Sequence, residues 1–219
     1  RRIIKIKGLA KVSRRASNLF KASATPAATW GHQVCGVAPS QLLVMERNAL
    51  ACAGFRPHGR CKTVALILAY GYLGTPHGRI IRETIIAWLE VTRFAYAQGK
   101  MPQIAAAWVK ARDKLQADNR ITLVKGIMTN VIFTLKSLGW KPSHFNVWED
   151  PNGDRWVLGD ASVAPHIVAN KLIHSMHQAR LADASQHFDG GGMQDGVDWE
   201  ITLSSVSYTH LTLPTRDLV

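Results

Sequence analysis

The feature that most constrains the fold is a succession of segments in which apolar residues recur every three or four positions. Such spacing places the apolar side chains on one face of an α-helix. The first such segment has an apolar stripe formed by Leu9, Val12, Ala16 and Leu19, and an opposite stripe formed by Lys7, Lys11, Arg14, Asn18 and Lys21. The pattern predicts a helix with one buried face and one positively charged face.

Proline and glycine separate this segment from further predicted helices. Pro26 allows a new helix to start after Thr25, and Ser40 is the predicted N-cap of a helix over residues 41–53. Other helices are predicted over residues 79–98, 101–117, 122–138 and 165–181. The buried face of the first of these is predicted to contain Ile81, Ile85, Trp88, Leu89, Thr92 and Tyr96. Periodicity does not decide whether residues 61–72 form a helix or a buried strand.

The pattern changes after Pro142, where turn residues lie between Trp148 and Trp156. This predicts a β-hairpin of residues 145–148 against 155–158, with the two indoles facing each other. The expected fold is therefore mainly α: a helical, bundle-like basic region with one small β-hairpin near residues 145–158.

The same change in pattern suggests three regions. Residues 1–142 form the basic helical region, and residues 143–205 contain the hairpin, a helix and an acidic, glycine-rich linker. Residues 206–219 resemble a translated sequencing adapter, which would place them outside the fold; the alternative is a genuine β-rich tail. The chain is expected to be part of a larger product.

Charge is distributed unevenly along a chain whose net charge is +12. Residues 1–60 contain eleven Lys and Arg against one acid, whereas residues 149–219 contain four against ten. A field of this size attracts polyanions, so the partner is expected to be nucleic acid, with an anionic membrane surface as the alternative. The longest uncharged apolar run, residues 64–74, is too short to span a bilayer, and no membrane association is predicted.

Three cysteines, Cys35, Cys52 and Cys61, form no CxxC pair and suggest a reducing, intracellular compartment.

The sequence of residues 54–63 is close to that of a phosphate-binding loop, but Arg60 stands in place of its lysine and Cys61 in place of its hydroxyl-bearing residue. The more modest interpretation is a basic loop in which Arg56, His58, Arg60 and Lys62 contact phosphates. The alternative is a solvated turn.

Histidines and carboxylates give little support for catalysis or for a metal site. His174 and His177 share a helix face, but zinc needs further ligands, for which His187 or Asp189 are the candidates. The carboxylates are Asp150, Asp154, Asp160, Asp189, Asp195, Asp198 and Glu200, and most lie in a turn or the linker. We expect a solvated acidic segment, no metal, no cofactor and no catalytic residue.

Two stretches resemble the segment just downstream of the reverse transcriptase domain in non-LTR retrotransposon polyproteins. They are residues 11–20 (KVSRRASNLF) and 25–34 (TPAATWGHQV). Pro26, Trp30 and Gly31 match a pattern of the family, whereas Gln33 stands where an acid is usual. Residues 46–52, 59–61, 70–76 and 148–153 are similar to a subset of these polyproteins from protist genomes. The resemblance covers residues 1–205.

The resemblance implies a thumb-and-connection region that grips a template–primer backbone. It also implies partner domains in the same polyprotein, a polymerase with an Asp-Asp motif upstream and an RNase H-like domain downstream, and an intracellular location that includes the nucleus. The predicted function is non-catalytic, sequence-independent binding to an RNA or DNA duplex. The predicted nucleic-acid-binding residues are Lys7, Lys11, Arg14, Arg15, Lys21, Arg56, Arg60 and Lys62. The alternatives are an interaction module that docks on an acidic partner and a stand-alone nuclease.

Overall fold

The computed structural model describes residues 1–13, 15–55, 61–116, 119–158 and 164–187. The helices are α1 (Arg2–Leu9), α2 (Ala16–Leu19), α3 (Thr25–Ala28), α4 (His32–Cys35), α5 (Pro39–Cys52), α6 (Lys62–Tyr70), α7 (Pro76–Ala97), α8 (Met101–Gln116), α9 (Ile127–Ser137) and α10 (Pro165–His187). A π-helical turn spans Phe20–Ala24 and a 3-10 turn spans Ile121–Leu123. The strands are β1 (Lys141–His144), β2 (Val147–Glu149) and β3 (Arg155–Val157). The predicted class, mainly α with a small β element, is confirmed.

The chain divides into two compact units, Arg1–His177 and Gln178–Val219. The first contains both hydrophobic clusters described below. In the second, the described residues 178–187 are helical. The predicted division after residue 142 stays a prediction.

The larger hydrophobic cluster joins α7, α8 and α9 to the sheet and to the beginning of α10. Trp88 and Trp108 are fully buried, with ring centroids 5.2 Å apart. Their indole N–H groups donate to the carbonyl oxygens of Phe145 at 3.0 Å and Pro142 at 3.3 Å. Each indole therefore fills space in the core and also links its helix, through a hydrogen bond, to the backbone in and next to β1.

The smaller cluster lies where the N-terminal segment packs on α5 and α6, and includes Ile6, Ala16 and Phe20. Phe20 packs edge-on against Tyr70, with centroids 6.0 Å apart, and the Tyr70 hydroxyl donates to the Ala49 carbonyl at 2.7 Å. Burial raises the pKa of Tyr70 far above its usual value, so this hydroxyl stays protonated and remains a donor.

The N-terminal helix differs from the prediction. Instead of one continuous helix, α1 ends at Leu9, a turn follows, and α2 begins at Ala16. Of the predicted apolar stripe only Ala16 is buried, while Val12 is 83% exposed. The predicted buried face was wrong because Ile6 and Phe20 supply the apolar contacts instead.

Most other helix predictions hold, with shifted ends. Residues 61–72, which were ambiguous, contain helix α6. The N-cap of α5 is Ala38, since Pro39 is already the first helical residue, so the predicted cap Ser40 was wrong. On α7, Ala95 is buried and Tyr96 is exposed, which corrects the predicted face at its last turn.

The sheet contains the predicted hairpin and one further strand. β2 and β3 pair in antiparallel fashion with Trp148 opposite Trp156, as the sequence predicted. β1 adds on the other side of β2, with an irregularity in register between Lys141 and His144. This strand was missed because its sequence, Lys-Pro-Ser-His, lacks the apolar alternation typical of strands.

Gly36, between α4 and α5, is expected not to tolerate a side chain. Its φ is +69°, and a Cβ there would lie 2.8 Å from the Ile121 side chain and 3.0 Å from that of Asn130. With ψ −177° as well, this backbone lies in a region that is essentially restricted to glycine, and another residue there costs about 1–3 kcal/mol. We expect Gly36→Ala to lower the free energy of unfolding in urea by at least this amount. Gly99→Ala, with φ +64° but open space around its Cβ, is the control that measures the cost of a positive φ without a clash.

Candidate nucleic-acid interface

The exposed positive charge of the N-terminal segment lies in α1 and the turn after it. Lys11 and Arg15 are exposed, as are Arg1, Arg2 and Lys5. No acidic residue precedes Glu46 in the sequence. Arg14, Arg56 and Arg60 lie outside the described residues.

The other predicted binding residues make contacts within the chain. The Lys7 ammonium donates to the Asn48 side chain at 2.8 Å, and that of Lys62 lies 3.1 Å from the carboxylate of Glu46. Glu46 is 1% exposed, so Lys62 neutralises a buried charge. Lys7 and Lys62 are therefore less available to a ligand than Lys11 and Arg15.

These contacts also separate Lys7 from Lys62. Their partners Asn48 and Glu46 are two residues apart on α5, and residues at that spacing lie on different sides of a helix. Lys21 lies elsewhere, with its ammonium 5.3 Å from the centroid of the Tyr70 ring. The predicted binding residues that the structure describes therefore do not form one continuous stripe. Lys11 and Arg15 are exposed. The other three, Lys7, Lys21 and Lys62, each contact another side chain of the protein.

A second basic feature, which the sequence did not predict, is a pair of adjoining clefts that share Arg79 and Glu83. One, of about 280 Å³, is lined by Phe20, Lys21, Thr25, Tyr70, Leu73, Gly74, Pro76, Arg79, Arg82 and Glu83. The other, of about 450 Å³, is lined by Pro26, Thr29, Trp30, Gly31, Gln33, Arg79 and Glu83. Trp30 is 92% exposed, the largest fraction among the exposed large apolar side chains of the described residues.

The shared wall of the clefts is held by charge-assisted hydrogen bonds. Arg79 donates from Nε to Glu83 at 2.6 Å and from Nη1 to the Lys21 carbonyl at 2.9 Å. His32 donates from Nδ1 to the Thr29 carbonyl, because a carbonyl can only accept, and its Nε2 lies 3.6 Å from Glu83. Glu83, the one acid among the described residues that line the two clefts, is therefore already in contact with a guanidinium, and the described lining of the two clefts together keeps an excess of positive charge.

The histidines of α10 pack with an aromatic side chain. His177 is buried and donates from Nε2 to the Tyr72 carbonyl at 2.8 Å, while His174 is hydrogen-bonded to the Tyr72 hydroxyl at 2.7 Å. Burial raises the pKa of Tyr72 to about 12. No group of three potential metal ligands occurs in the described ranges. The side chain of His187, and Asp189, are not among the described parts.

Asp150 corrects the expectation that the acidic residues are solvated. It is 1% exposed, and its Oδ1 accepts from the backbone N–H groups of Asn152 and Asp154, both at 2.9 Å. The Lys171 ammonium lies 3.6 Å from its Oδ2 and 5.6 Å from the Trp156 ring centroid. This carboxylate organises the hairpin turn, a structural role that requires no ligand.

Comparisons with models of known protein families, with curated proteins and with solved structures find no match for this chain. The resemblance to retrotransposon polyproteins therefore stays a prediction. Among the residues that the structure describes, no helix combines the length and the apolar character needed to cross a bilayer.

Proposed function

We propose that the chain binds the backbone of a nucleic-acid duplex without reading its sequence, as a non-catalytic part of a reverse transcriptase polyprotein. The observation that carries this proposal is that the N-terminal segment exposes positively charged side chains, above all Lys11 and Arg15, and contains no acidic residue. Phosphate contacts from Lys and Arg give affinity without sequence information.

The proposal is tested by reversing the charge of Lys11 and Arg15 together. We expect Lys11→Glu/Arg15→Glu to weaken binding to a fluorescent primer–template duplex by about 10-fold or more at low salt, because two cations face the phosphates. The salt dependence, plotted as log K against log salt concentration, should become shallower by about 2. Fluorescence anisotropy over a salt series measures both.

Lys100→Glu/Lys110→Glu is the matched control, since both lysines are exposed and the net charge changes equally. If the control weakens binding as much as the N-terminal pair, only overall charge matters and the assigned segment is wrong. Equal affinity for unrelated duplex sequences is also required.

A second candidate is a protein-interaction module, because the same segment exposes apolar side chains. Ile4 is 74% exposed and Val12 is 83% exposed. Exposed apolar groups beside positive charge suit an acidic protein partner, such as another domain of the same polyprotein. A folded sample that does not bind duplex at low salt would favour this candidate.

A further inference from the structure

Trp30 is presented to solvent by a turn that is itself anchored. Thr29 and His32 are both 3% exposed, and the Thr29 hydroxyl donates to the Thr25 carbonyl at 2.9 Å. The His32 ring is hydrogen-bonded to the Thr29 carbonyl, and Gly31 adopts φ +73° between Trp30 and α4. The neighbours of Trp30 therefore point inward while its indole points outward. Because the backbone of this turn is already fixed, only the side-chain torsions of Trp30 must be ordered when a flat ligand binds.

The cleft beside this indole has the volume of a small-ligand site. Its size, about 450 Å³, lies within the ~300–1,000 Å³ typical of such sites. Gln33 in its lining carries a side-chain amide that can both donate and accept hydrogen bonds. One wall is thus aromatic, and another offers an amide suited to the edge of a base.

Charge in the two clefts favours an anion. Among the residues that the structure describes, Lys21, Arg79 and Arg82 line the two clefts together with one carboxylate, that of Glu83. The contacts of Arg79 described above use two of the five N–H donors of a guanidinium, so it retains the capacity to bind a phosphate. An aromatic face together with cations is the combination that binds unpaired nucleotides, since every base has a π-face. In a duplex interior both faces of each base are already stacked, so the ligand must be single-stranded.

From this geometry we propose that the two adjoining clefts bind one unpaired nucleotide, with its base stacked on Trp30 in one cleft and its phosphate facing Arg79, which both clefts share, and Lys21 of the other cleft. The inference rests on the proposed function in one respect: on a primer–template, the single-stranded template overhang supplies this nucleotide while the N-terminal segment contacts the duplex.

The test compares three labelled ligands by anisotropy with the full chain: a blunt duplex, the same duplex with a short single-stranded overhang, and a duplex whose overhang lacks its bases. The overhang should tighten binding about 5- to 30-fold, and the abasic overhang should give little of this gain. Trp30→Ala should remove the gain and leave the affinity for the blunt duplex unchanged. Trp30→Phe should retain part of it, because a smaller ring still stacks.

Tyr96→Ala is the matched control, since Tyr96 is an aromatic residue 77% exposed that lines neither cleft; it should keep the full gain. An equal gain from the abasic overhang, or a gain that survives Trp30→Ala, would overturn the inference, because base stacking on Trp30 would then not be the source of the gain. Binding of the blunt duplex with no gain from any overhang overturns the inference alone. A Trp30-dependent affinity for a single-stranded oligonucleotide, without duplex binding, would support the inference and overturn the proposed duplex function.

Discussion

Trp88→Ala is expected to lower the free energy of unfolding by about 3–5 kcal/mol, the largest single effect we predict. Trp88 is fully buried on α7 and packs against Trp108 of α8. Its removal leaves a cavity at the junction of two helices and also leaves the Phe145 carbonyl without the indole N–H that it accepts. The midpoint of urea unfolding, followed by far-UV circular dichroism, measures the loss.

Two further variants separate the causes of this loss. Trp88→Phe keeps much of the volume but not the N–H donor, so its cost, about 1–3 kcal/mol, reports mainly the unsatisfied carbonyl. Trp30→Ala removes the same indole from a solvated position and should change stability by no more than about 0.5 kcal/mol. Similar losses for Trp88→Ala and Trp30→Ala would contradict the assignment of Trp88 to the core.

Long helices with a sustained period were predicted well from the sequence. On α7, Ile81, Ile85 and Trp88 are all fully buried, as the spacing required. Gly139 follows the last turn of α9, as a glycine after a periodic segment usually does: its φ is +76°, its N–H bonds to the Lys136 carbonyl, and the Trp140 N–H bonds to that of Leu135. Both results follow from local chemistry, because period and glycine caps act within a few residues.

The N-terminal segment shows where periodicity fails. Ala16, Phe20 and Ala24 are buried at a spacing of four, so the period was helical but the predicted phase was wrong. The choice of phase depends on Tyr70, which packs on Phe20 from a helix fifty residues away. The sequence alone does not show such a long-range contact. In short helices, packing against distant residues also outweighs local helix preferences more easily than in long ones.

The candidate cleft was not predicted from the sequence for a related reason. The cationic residues of the two clefts come from distant parts of the sequence, Lys21 before α3 and Arg79 from α7, and the exposed Trp30 is followed by Gly31, which adopts a left-handed backbone. In the sequence, Trp30 and Gly31 entered only as part of the family resemblance, which does not indicate which way the indole points.

Asp150 was expected to be a solvated carboxylate, whereas in the structure it is buried and has a structural role. The sequence Asp-Pro-Asn-Gly correctly predicted a turn between β2 and β3. It could not show that the Asp150 side chain is enclosed there, because Lys171, the cation beside it, belongs to α10. Carboxylates in acidic segments are usually solvated, and this one departs from the rule through a tertiary contact.

The second large effect is therefore expected at Asp150. Burial is the largest single effect and by itself would raise the pKa of its carboxyl, but hydrogen bonds from the backbone N–H groups of Asp154 and Asn152 lower the pKa. The Trp156 indole and the Lys171 ammonium add to this lowering, although the indole contact falls outside normal hydrogen-bond geometry. The net pKa lies below the ordinary value of 3.8, so the ionised carboxylate is favoured in the folded state.

A lowered pKa has a definite consequence for stability. The ionised form of Asp150 stabilises the fold fully above the pKa of the unfolded chain, and this contribution is lost as the pH falls through the lower pKa of the folded chain. Asp150→Asn removes the charge but keeps an oxygen that can accept the turn N–H groups. We expect it to cost about 2–4 kcal/mol at pH 7, because the partly buried Lys171 loses its buried counterion.

The measurement is urea unfolding of the natural chain and Asp150→Asn across a pH series from 7 to the acid limit. The stability difference between the two should be constant near neutral pH and should shrink below the ordinary carboxyl pKa, since the natural side chain then becomes neutral too. Asp154→Asn is the matched control: it changes an exposed carboxylate in the same turn and leaves the backbone N–H donor to Asp150 in place. A difference for Asp150→Asn that does not vary with pH, or a cost for Asp154→Asn of the same size, would show that the buried ionised carboxylate does not stabilise this turn.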